Sequence, residues 1–137
     1  MNGNYSFTYK FIILFTIIYV FLLMIIFLYL KRINERKFIV ICKMYKEKFN
    51  TLPLSASVLY DASPLWFPMG NSIKMGFIIW PLIFGRKSIY SKNENDVSFI
   101  LGLDKKLTFT FKVDFYLSCF SLITISLLGL IIYYLPA

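Results

Sequence analysis

Two long runs of apolar positions frame this 137-residue chain. Phe11 to Leu30 (FIILFTIIYVFLLMIIFLYL) carries no charge over 20 residues, with Lys10 before it and Lys31 and Arg32 after it. Its only polar groups are the hydroxyls of Thr16, Tyr19 and Tyr29. The second run extends from about Phe115 to Leu135 (FYLSCFSLITISLLGLIIYYL), bounded by Asp114 and Pro136. A hydrocarbon core about 30 Å thick needs about 20 helical residues. Backbone groups in lipid must be satisfied within their own segment, so both runs are predicted to be transmembrane helices, about 11–30 and 115–135. The first run is too long for the apolar part of a signal peptide, about 7–15 residues, and no Ala precedes Ala56 to build a cleavage site. It is expected to be kept as an anchor.

Between the runs the pattern changes several times. In 31–49, Phe38, Ile41, Cys42, Tyr45 and Phe49 recur at helical spacing, a narrow apolar stripe that predicts an amphipathic helix. Thr51 to Gly70 holds Pro53, Pro64 and Pro68 yet is rich in large apolar side chains, so it reads as a proline-broken loop seeking cover rather than a linker. Met75 to Phe84 (MGFIIWPLIF) is too short to cross a bilayer as a helix and contains Pro81. A helix over 72–84, interfacial or buried in protein, is the expectation, with a third span as the alternative. The polar stretch 86–96 predicts an exposed loop, and a short helix is expected over 96–106. Leu107 to Phe115 (LTFTFKVDF) alternates strictly and is open to two readings, a helix leading into the second span or a strand completed by a partner's sheet.

Charge adds orientation. Of 15 Lys and Arg, one precedes the first run and fourteen lie between the runs. Bacterial inner-membrane proteins keep such bases on the cytoplasmic side. The expected topology is therefore a two-span hairpin with a cytoplasmic central region and both ends outside. Lys31, Arg32, Arg36, Lys37, Lys43, Lys46 and Lys48 form the densest group and are candidates for contact with anionic lipid headgroups. Composition supports a membrane protein: 58% hydrophobic, 20% aromatic and only 16% charged residues, with a formal net charge of +8. Soluble domains hold about 25% charged residues.

Candidate chemistry is sparse. The chain has no His, and its two cysteines, Cys42 and Cys119, fall in regions expected to be cytoplasmic and lipidic. The acids show no metal-ligand spacing, and the scattered glycines make no phosphate loop. Neither run carries an ionisable acid or base of the kind that marks an ion path. No cofactor and no nucleic-acid partner are expected, and the reading is non-enzymatic. What remains is surface for association. Ser118, Ser121, Ser126 and Gly129 share one side of the second run at 100° per residue, a candidate helix–helix contact face. Leu65, Trp66, Phe67, Phe77, Trp80, Phe109 and Phe111 are large apolar residues in nominally aqueous sequence, a candidate partner or membrane-interface surface.

The second half of the chain resembles bacterial inner-membrane proteins of the universal stress protein B type. The resemblance lies in the aromatic patch Phe77–Trp80, the stretch Asn93-Glu94-Asn95-Asp96, Phe99-Ile100, and the bases Lys105-Lys106 before the last apolar run. It implies an N-terminal span, a basic cytoplasmic loop, a C-terminal span and a stress-linked role without catalytic residues. The 51–70 segment has no counterpart in that pattern. Together these readings favour an all-α membrane protein acting as an accessory or scaffold subunit, in contact with lipids and with other membrane subunits or itself. A small immunity, exclusion or stress-response protein is the alternative.

Overall fold

A computed structural model describes residues 3–53, 56–57, 68–89 and 95–134, except the side chains of 3–6, 8 and 68–74. All regular structure among the described residues is helical: α1 (Gly3–Phe49), α2 (Pro68–Phe84), α3 (Asn95–Leu101) and α4 (Lys105–Tyr134). At 1.5 Å per residue, α1 is about 70 Å long and α4 about 45 Å. Both are long and apolar enough to cross a membrane. The chain divides into two units, one of residues 1–29 and 116–137, the other of 30–115.

In the first unit most large apolar side chains are exposed, among them Phe15, Phe21, Ile25, Leu28, Phe120, Leu127 and Ile131. A helix that is apolar on all sides fits a lipid solvent rather than water. Three of its hydroxyls bond back to their own helix: Thr16 donates to the Ile12 carbonyl (2.8 Å), Ser121 to Ser118 (2.9 Å) and Thr124 to Phe120 (2.9 Å). Each thereby satisfies its donor within the segment.

The second unit is packed. The expected α1 stripe points inward: Phe38, Ile41, Cys42 and Tyr45 are buried, and Phe49 is half-buried against them. Met75, Phe77 and Ile78 of α2, Phe99 and Ile100 of α3, Phe111 of α4 and Ala56 complete this core. The Tyr45 ring meets Phe49 (4.6 Å between centroids), Phe99 (5.1 Å) and Phe77 (6.3 Å), the last two edge to face. Phe77 also meets Phe38 edge-on. Such edge contacts add about 0.5–1.5 kcal/mol each beyond burial.

Local chemistry sets the ends of these helices. Asn50 stops α1 in the left-handed region (φ 56°), its N–H bonding the Lys46 carbonyl at 2.8 Å, and Pro53 follows. Gly85 ends α2 the same way (φ 62°, 3.0 Å to the Pro81 carbonyl). The single helix expected over 96–106 is two elements. α3 ends at Leu101, where the Gly102 N–H closes on Ser98 (3.0 Å), and Asp104 then caps α4 by accepting from the Lys106 N–H (2.9 Å). That cap starts a helix which runs without interruption through the alternating 107–115 segment, so of its two readings the helical one holds. α2 starts at Pro68, four residues before the expected 72.

Candidate functional site

Chemistry-bearing side chains gather in the second unit. The bases of α1 lie around its buried stripe: Arg32, Arg36, Lys43, Lys46 and Lys48 are exposed, Lys31 and Lys37 half-buried. Two have specific tasks. Lys37 donates to the backbone carbonyl of Lys106 (2.6 Å), tying α1 to the start of α4. Lys48 lies over the Phe49 and Phe99 rings, 5.5 and 5.8 Å from their centroids, covering the end of the aromatic cluster.

Two polar links cross the packed region. The Tyr45 hydroxyl donates to Asp96 Oδ1 at 2.5 Å, with both side chains buried. Burial raises the Asp96 carboxyl above its ordinary range, and the Tyr45 hydrogen bond offsets part of that rise. Nearer the apolar runs, Asn34 Nδ2 donates to Asp114 Oδ2 at 3.0 Å, with Asn34 only 2% exposed. Neither link was anticipated in the sequence. The signal for Asn34 was its place one turn before Phe38 on the buried stripe, where a polar residue needs a partner. Among the described residues, no three of His, Cys, Asp and Glu stand close enough to hold a metal ion.

The proposed association surface separates into parts. Phe77 (0% exposed) and Phe111 (1%) are corrected from surface to core, because both face the aromatic centre of the unit. Phe109 (64%) and Trp80 (37%) are exposed. Leu65, Trp66 and Phe67 lie outside the described residues. The small-residue face also divides: Ser121 is buried and Ser118 half-buried, while Ser126 and Gly129 are exposed, with nothing within 4 Å of where a Gly129 β-carbon would stand.

An open groove of about 460 Å³ runs between α1 and the α3–α4 turn, lined by Met44, Glu47, Lys48, Ser98, Phe99, Gly102 and Leu103. Its lining is mixed: Met44, Phe99 and Leu103 are apolar, and Glu47 and Lys48 contribute one acid and one base. Val40, exposed one turn before Met44, extends the apolar side along α1. No known protein family, curated protein or solved structure matches the chain.

Proposed function

We propose that this is an integral protein of the bacterial inner membrane, without catalysis of its own, whose cytoplasmic region serves as an accessory or scaffold subunit of a membrane protein complex. The observation that carries this reading is the second unit: its aromatic core is closed, yet Val40 and Met44 remain exposed beside an open groove, and Leu101 and Phe109 are exposed on the same unit. Exposed apolar surface on a packed unit marks contact with protein or lipid. The bases of α1 would face anionic headgroups, and the two apolar helices would anchor the unit with both chain ends outside.

The test is a photo-crosslinking side chain placed at Met44, on the groove, or at Lys46, exposed but off it. In native membranes the Met44 position is expected to give one discrete adduct, with another membrane protein or a second copy, and Lys46 none. A clean monomer after mild detergent extraction, with no adduct from Met44, would overturn the reading.

A further inference from the structure

Among the described side chains of α2, 75–84, the exposed ones lie at its C-terminal end. Met75, Phe77 and Ile78 turn into the core, whereas Trp80 and Phe84 (50% exposed) face outward. Their rings lie 5.0 Å apart, and Phe84 meets the Phe115 ring edge-on at 5.9 Å. Phe115 is where α4 enters its charge-free run. Gly85 then reverses the chain, and Ser88 packs back over Gly76, its Oγ 3.5 Å from where a β-carbon would stand. This reversal sets Arg86 and Lys87 exposed at the tip of α2 and leaves Ile89 80% exposed just behind them. Lys112, one turn before Phe115 on α4, is exposed as well. No acid occurs in the sequence between Asp61 and Glu94.

Tryptophan and other aromatics beside bases are the side chains that settle at a membrane–water interface, and the nearby acid Asp114 is engaged by Asn34. Met75, Phe77 and Ile78 of α2 are already committed to the protein core. We propose that the C-terminal end of α2 is a membrane-interface foot, with Trp80, Phe84 and Ile89 resting among the headgroups and upper acyl chains of an anionic bilayer and Arg86, Lys87 and Lys112 on its headgroups. The inference rests on the reading that α1 and α4 insert in the bilayer. It gives 75–84 of α2 two surroundings, protein at Met75, Phe77 and Ile78 and lipid at its last turn.

The chain has two tryptophans, so Trp66→Phe leaves Trp80 as the only one. The full-length variant, reconstituted in vesicles of phosphatidylglycerol and phosphatidylcholine, is titrated with lipids brominated at shallow or deep acyl positions. Trp80 emission should be blue-shifted and lost with shallow bromines, little affected by deep ones, and shielded from aqueous iodide. Arg86→Gln/Lys87→Gln should weaken the shallow quenching, and so should vesicles of phosphatidylcholine alone. Emission quenched by iodide and insensitive to brominated lipid would overturn the proposal. So would blue-shifted emission that neither quencher reaches, which would mean that protein covers Trp80. A second variant with Trp66→Phe, Trp80→Phe and Leu22→Trp reports on insertion itself. If its tryptophan responds to deep bromines and Trp80 to none, the foot fails and the spans stand; if neither responds, the membrane reading fails too.

Discussion

Removing the Tyr45 hydroxyl isolates one buried interaction. Tyr45→Phe keeps the ring that packs on Phe49, Phe77 and Phe99 and deletes only the donor to Asp96. A hydrogen bond to a charged group is worth about 1.5–3 kcal/mol, so the central unit should lose about 2 kcal/mol. Cys42 supplies the readout, since it is buried in the same core while Cys119 is exposed. In a Cys119→Ser background, the maleimide labelling rate of Cys42 in the full-length protein reports how often that core opens. At 1.4 kcal/mol per factor of ten, Tyr45→Phe should label about 30-fold faster than its parent at the same pH. Asp96→Asn keeps an acceptor for Tyr45 and removes the buried charge, so it should label no faster than the parent at neutral pH. The sign of the pH dependence follows from burial. The folded pKa of Asp96 is raised, so its contribution to stability is full below the unfolded value of about 3.9 and is lost as pH rises through the folded pKa. Corrected for a free thiol, the parent should therefore open less as pH falls through that folded value toward about 3.9, and Asp96→Asn should lose that share of the change. An unchanged rate in Tyr45→Phe, or equal acceleration by Asp96→Asn, would refute the buried hydrogen bond.

Phe77→Ala should cost about 3–5 kcal/mol by opening a cavity in the aromatic core, against under about 1 kcal/mol for the exposed Phe109→Ala; the same Cys42 labelling ranks them. Asn50→Gly should be nearly neutral, whereas Asn50→Val forces a β-branched residue to φ 56° and should cost about 1–2 kcal/mol, seen as faster proteolysis after α1. Asp104→Ala removes the cap of α4 and should cost about 1 kcal/mol, with faster amide exchange at Lys106 and unchanged exchange beyond residue 115.

The two long helices could be read from the sequence because each contains a run of about 20 apolar residues without a charge, enough to cross a membrane. The α1 stripe was legible for a similar reason: Phe38, Ile41, Cys42 and Tyr45 recur at the helical period and bury together. Reading failed where local and tertiary effects compete. Strict alternation over 107–115 also suited a strand, but the Asp104 cap and the helical run beyond it carry the segment through as helix. The Gly102-to-Asp104 stop and restart was present in sequence, yet its weight emerged only with the Ser98 and Lys106 hydrogen bonds. Phe77 and Trp80 belong to one apolar run, and no periodicity in so short a segment assigns one to the core and the other to the surface. Asn34 and Asp114 are 80 residues apart, a pairing that a single sequence does not reveal.

The central claim is that the basic middle of the chain is a cytoplasmic unit held by two membrane helices. Single cysteines at Asn2, Lys87 and Ala137 in an otherwise cysteine-free chain, treated with a membrane-impermeant maleimide on cells with a permeable outer envelope and an intact inner membrane, test it directly. The account predicts labelling at positions 2 and 137, and at 87 only after the inner membrane is opened. Labelling at 87 in intact cells, or protection at 137, would contradict it.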